Sequence, residues 1–99
     1  MKAIIVMSAV DNVGNAIEDI TKGDTVSYTL DGKPHTFTAV DDIPFGFKAA
    51  VKDIASGGDI LKYKEVIGKA AKAIRAGECV HIHNVEGKRG RGDISEGKA

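Results

Sequence analysis

Three eleven-residue segments of this chain align without a gap, and they restrict its fold more than any other feature. They are AIEDITKGDTV (Ala16 to Val26), AVKDIASGGDI (Ala50 to Ile60) and AAKAIRAGECV (Ala70 to Val80). Each has Ala first, Ile fifth, Gly eighth and Val or Ile eleventh. The intervals of 34 and 20 residues between Ala16, Ala50 and Ala70 are unequal, so the copies do not form a solenoid of fixed period. Ala and Ile lie at even offsets and would share one face of a strand. A glycine three residues after the Ile supplies the positive φ of a tight turn. Each copy therefore reads as strand, turn, strand, with Ile20, Ile54, Ile74, Val26, Ile60 and Val80 buried. A short helix is the rival in the third copy, where Lys69, Lys72 and Arg75 also fit a helix's polar face.

The rest of the chain is compatible with a mainly β domain with short helical turns. Val26, Tyr28 and Leu30 alternate with Thr25, Ser27 and Thr29, and Asp31-Gly32 is a hairpin signal before HTFTAV. Lys2 to Met7 is an apolar strand of central character. Pro44 and Gly46 bracket Phe45 in a loop. The expected domain covers 1–85, and the glycine-rich segment 86–99 reads as a tail. Its Lys88, Arg89 and Arg91 form a basic cluster without an aromatic residue for base stacking, and its Arg-Gly-Asp triplet is not read as an adhesion motif.

The chain has 99 residues, enough for one domain, with 14 basic and 14 acidic side chains. That balance removes the electrostatic case for nucleic acid, which wants a basic excess. No apolar run approaches the roughly 20 residues that span a bilayer. Cys79 is the single cysteine, which fits a reducing, cytoplasmic setting and reads as a packed strand residue rather than a nucleophile.

His81 and His83 stand two apart after the third copy. On a strand both would face one side and could share a metal ion, with a third ligand needed from elsewhere. A structural or surface role is the other reading. His35 follows Pro34 at the hairpin and reads as a solvated loop residue. Asp41 and Asp42 read as turn caps. Lys48, after the two phenylalanines of FGF, could neutralise a substrate carboxylate. The ASGGD stretch is no phosphate loop, since Gly-Lys-Ser/Thr is missing.

Several stretches together resemble a known family. These are DNV at Asp11 to Val13, DIPFG.K at Asp42 to Lys48, DIA.GGDI.KY.EVIG.A...I.AGE.VH.HN from Asp53 to Asn84, and RGRGD at Arg89 to Asp93. In this order they are similar to the small SAF-type (β-clip) domain of the altronate/galactarate dehydratase family, sugar-acid hydro-lyases. The resemblance covers Asp11 to Asp93. It implies a SAF-like β-clip single domain and a dependence on a divalent metal, iron or manganese, held only with a partner subunit. It further implies that His83 and Lys48 are catalytic, that Asn84 and Asp42 bind substrate, and that His81 and His83 are metal ligands. The family's loop usually carries a histidine just before the lysine, where this chain has Phe47. That ring can neither bind metal nor move protons.

The sulfolactate sulfo-lyases resemble the same family and split it into two chains. By that resemblance this chain is the small subunit or accessory domain of a hydroxy-acid hydro-lyase, inactive without a large catalytic subunit. A homo-oligomer is compatible with it. The alternative is a non-catalytic module of SAF type that binds a sugar acid or another protein, and Phe47 favours that alternative. His81 and His83 are expected on one face near IPFGFK, in a surface that docks the partner.

Overall fold

The repeated segment is built around one isoleucine. Its Ala ends a strand, two residues bend, the Ile makes an isolated backbone bridge, and the Gly completes a tight turn before the next strand. The Ala-to-Ile stretch is thus not the continuous strand expected, although both side chains reach the core. The computed structural model describes residues 1–87, so most of the expected tail, with its basic cluster and Arg-Gly-Asp, lies outside the described residues.

The structure contains a fourth copy that the sequence comparison passes over. Ala39 to Ala49, AVDDIPFGFKA, has the same Ala, Ile and Gly positions and the same bend, bridge and turn, with its Ala one residue past the end of a strand. The expected IPFGFK loop is this copy. It escapes notice because its eleventh residue is Ala49 and its sixth is Pro44. In the turns, φ is +94° at Gly23, +87° at Gly46, +81° at Gly57 and +96° at Gly77, a region that side chains disfavour.

The four copies associate as two reciprocal pairs. Ile20 and Ile43 exchange both backbone hydrogen bonds, at 2.9 and 2.8 Å, as do Ile54 and Ile74, at 2.7 and 2.8 Å. The Gly23 N–H donates to the Ala39 carbonyl and the Gly46 N–H to that of Ala16; Gly57 and Gly77 do the same to Ala70 and Ala50. The aspartate at the fourth position reaches across each joint. Asp19 accepts from the Phe45 N–H at 2.9 Å, Asp42 from that of Lys22 at 2.8 Å and Asp53 from that of Ala76 at 3.0 Å. In the last copy this position is Ala73, and the corresponding bond to Ser56 is missing.

The chain is therefore two similar halves, each a copy, a hairpin and a second copy. The first hairpin is β3 (Thr25–Leu30) with β4 (Lys33–Thr38), turning at Asp31 and Gly32, both with positive φ as expected. The second is β6 (Asp59–Lys62) with β7 (Glu65–Ala70), turning at Tyr63 and Lys64 with φ of +54° and +66°. Neither is glycine, so this turn gave no sequence signal. The Asp11 carboxylate, 1% exposed, holds it by accepting from the Tyr63 and Lys64 N–H groups at 2.9 and 2.8 Å. Asn12 extends the clamp, accepting from the Leu61 N–H and donating to the Asp59 carbonyl.

β1 (Lys2–Ile5) lies between β3, its parallel neighbour, and β2 (Val13–Ala16), as its central character predicts. With β5 (Lys48–Ala50) and β8 (Cys79–Val80) these strands form a six-stranded sheet in the order β4-β3-β1-β2-β5-β8. The second sheet is β6-β7-β9, and β9 (Val85–Gly87) carries residues 86 and 87, assigned by sequence to the tail, into it. The first, fifth and eleventh residues of the copies fill two cores. Ala16, Ile20, Val26, Ala39, Ile43 and Ala49 fill one; Ala50, Ile54, Ile60, Ala70, Ile74 and Val80 fill the other. The six residues expected to be buried are at most 5% exposed. No helix forms among the described residues, so the short helical turns and the helical rival for the third copy are both set aside. None is therefore long and apolar enough to cross a membrane.

The halves dock closely. Gly77 accepts from the Val40 N–H at 2.8 Å, and a Cβ on it would lie 2.5 Å from the Thr38 carbonyl oxygen. Asp41 accepts from the Cys79 N–H at 3.0 Å across the same seam. Its carboxylate thus joins the halves rather than capping its own turn.

Candidate functional site

The antiparallel pairing of β5 with β8 builds the site. Lys48 lies opposite Val80 and Ala49 opposite Cys79. Continuing that register places Phe47 beside His81, and their rings pack at 4.3 Å between centroids, tilted by 33°. The contact joins the Ala39–Ala49 copy to the residue that follows the last copy.

β8 stops at Val80, so the His-x-His pair is on a turn and the strand rule for a shared face does not apply to it. Asn84 shapes this turn. Its backbone N–H donates to the His81 carbonyl, its side-chain oxygen accepts from the His81 N–H at 3.0 Å, and its Nδ2 donates to the Cys79 carbonyl at 2.9 Å. With 0% exposure, Asn84 holds the backbone and shows no group to solvent. The turn leaves His81, Ile82 and His83 exposed, and Ile82 is 83% exposed.

Beside the turn runs an open cleft of about 490 Å³. Ile60 and Val80 form its buried base, and Ile67, Ile82 and Val85 add apolar walls. Its ionisable lining consists of Lys48, Lys62 and His81, with no acidic side chain among them. The Lys62 ammonium rests 4.9 Å from the centre of the Tyr63 ring. Of the expected site residues, the structure brings Lys48 and His81 together here. His83 is on the same turn but does not line the cleft. Asp42 is at the joint between the first two copies, its Oδ1 committed to the Lys22 N–H. Phe47 is half-buried against the first core, whereas Phe45 is 67% exposed and outside the cleft.

No three of His, Cys, Asp and Glu come together as a metal-ligand set among the described residues. The two imidazoles of the turn are an incomplete donor set, and one is packed on a phenyl ring, so these residues do not fit a metal on their own. Cys79 is buried, and burial first, then the Asp41 charge, push its thiol above the ordinary range. A neutral, inaccessible thiol suits packing and not nucleophilic attack. His35, read as a loop residue, is on β4 opposite Tyr28 and stacks on it at 5.1 Å.

Sequence reasoning missed Lys62, Ile67 and Ile82, which meet only because β6, β7 and the 81–84 turn fold together. It also missed the Asp11 clamp. The available signal was an acid placed directly between an apolar strand and Val13.

Fold and cleft together define a small β domain assembled from paired turns, with a groove beside the last one. The family model for the altronate/galactarate dehydratase SAF domain matches residues 2–88, and the chain belongs to this family. It is 36% identical over 88 residues to the (2R)-sulfolactate sulfo-lyase subunit alpha of Chromohalobacter salexigens, covering 86% of this chain and 94% of that subunit. The corresponding subunit of Paracoccus pantotrophus is 41% identical over 62% of this chain and 91% of its own length. The altronate dehydratase of Escherichia coli is 41% identical over 81% of this chain, but the match spans only 15% of that enzyme.

Proposed function

We propose that this chain is the small subunit of a hydroxy-acid lyase of the dehydratase type, acting with a separate large catalytic subunit in the cytoplasm. The observation that carries this reading is one of proportion. The chain matches 94% of a separate lyase subunit but 15% of a dehydratase that holds the same domain within a longer chain. In this reading Lys48 and His81 are the groups it brings to the junction, where the ammonium can offset a substrate carboxylate. Asn84 and Asp42 act indirectly, by fixing the turn and the joint. His81 and His83 could supply two ligands at most to an iron or manganese ion, and the partner would complete the set.

The test is co-expression with the large subunit and assay of the purified pair for loss of water from altronate or galactarate and for sulfite release from sulfolactate. Activity in the pair, absent from either chain alone, is the expected result. Turnover by this chain alone would overturn the reading. A second reading rests on Phe47, which removes the loop histidine the family usually carries: a non-catalytic module that binds a sugar acid or another protein. Titration of the isolated chain with altronate separates them, since saturable binding without a partner supports the module.

A further inference from the structure

The cleft beside the 81–84 turn is chemically lopsided. Its base and walls are isoleucine and valine, while its ionisable groups are all basic or imidazole. A sugar acid offers a hydroxyl group on nearly every carbon other than its carboxylates, and these branched side chains would leave them without partners, at a cost in binding. An apolar protein side chain suits the lining better. Ile82 stands 83% exposed at the same place, and a fully solvated isoleucine beside an open apolar groove is a usual mark of a contact surface. Neither Lys48 nor Lys62 has a carboxylate partner among the described residues.

We propose that this cleft is the docking groove for the large catalytic subunit, and that it receives a segment with an apolar side chain flanked by Asp or Glu. The inference rests on the two-subunit reading above and adds the surface and the chemistry of its partner. Charge complementarity selects the occupant: an acidic flank can pair with Lys62, which leaves Lys48 for a substrate carboxylate, whereas two copies of this chain joined groove to groove would set like lysines against each other. The apolar insert takes Ile82 and Ile67 out of water, and the pair with Lys62 at the edge fixes its register. The arrangement also sets Lys48 and His81 at the subunit junction.

The experiment uses the co-expressed pair and measures its dissociation constant by titration calorimetry at low and high salt. Ile82→Asp is expected to weaken the wild-type affinity roughly tenfold or more, the scale of a lost contact residue. Lys62→Glu should weaken it less, and should lose most of the salt dependence. Ile82 is exposed and Lys62 half-buried on β6, so circular dichroism and thermal melts of each variant check that the fold is kept. If the wild-type pair binds and Ile82→Asp binds equally well, the groove assignment falls while the two-subunit reading stands. If the wild-type chains do not associate, both fall. An Ile82-dependent dimer of this chain alone would also overturn the proposal, by giving the groove to a second copy.

Discussion

Replacing Ala73 with aspartate should stabilise the protein. In each of the other three copies the fourth-position aspartate crosses to the partner copy and accepts one backbone N–H, at 2.8, 2.9 and 3.0 Å. The two Ile bridges have nearly equal geometry, 2.9 and 2.8 Å in the first pair and 2.7 and 2.8 Å in the second, so the joints superpose chemically as well as by sequence. Ala73 stands where the fourth carboxylate would be, opposite Ser56. All three aspartates are exposed, so the comparable quantity is a helix-cap or turn-cap bond in water, about 1 kcal/mol, and not a buried ion pair. For a domain of this length about 1 kcal/mol shifts the melting temperature by about 4–8 °C. Ala73→Asp should rise by an amount of that order in thermal and urea unfolding, with an unchanged denaturant slope. Asp53→Ala should fall by about the same amount, because it removes the existing half of the same joint. Ala73→Asn offers an acceptor without the charge and should recover part of the gain. A loss of stability in Asp53→Ala with no gain in Ala73→Asp would show that the four positions are not equivalent.

Asp11→Ala should cost about 2–3 kcal/mol, because one buried carboxylate holds two N–H groups of a turn whose residues both have positive φ. Placing Asn and Gly at Tyr63 and Lys64 in that background should restore part of the loss, and a urea series that shows no such rescue would detach Asp11 from the turn. Cys79 supplies a pH test. Its folded thiol is raised, first by burial and then by Asp41, so it stays protonated where the unfolded thiol ionises. Its contribution is complete below the unfolded pKa, about 8.5, and is lost as pH rises from there through the folded value. Wild-type stability should thus fall more steeply between pH 8 and 10 than that of Cys79→Ala, and parallel curves would remove Cys79 from the account.

Legibility in the sequence followed how locally each feature is determined. The Asp31-Gly32 turn was readable because its positive φ values need short or glycine side chains at the place itself. The Tyr63-Lys64 turn was not, because what stabilises it is Asp11, 52 and 53 residues away. Three copies of the repeated segment stood out through shared Ala, Ile and Gly, and the fourth was hidden by Pro44 and Ala49. The buried isoleucines were correct for a reason only half anticipated. They are buried as the centres of reciprocal bridges, Ile20 with Ile43 and Ile54 with Ile74, and not as members of long strands. The site was the least legible part. Strand periodicity put His81 and His83 on one face, but the strand ends at Val80, where Asn84 turns the chain.

The duplication explains where this domain can carry function. The positions that repeat are spent on the two cores and on the joints, so substitution there is felt as lost stability. Function has room where the halves differ. Following the first half's second copy, Ala49 runs directly into Ala50; following the second half's, the chain leaves β8 and turns at His81 to Asn84. That turn has no counterpart in the first half. The second hairpin also departs from the first, since β6 has four residues where β3 has six, and its register shifts between Ile60 and Leu61. The cleft lies between these two departures, lined by Ile60, Lys62 and Ile67 from the hairpin and by His81 and Ile82 from the turn. A symmetric pair of halves would have no such groove. The break in the duplication therefore makes the groove proposed above to receive the large subunit.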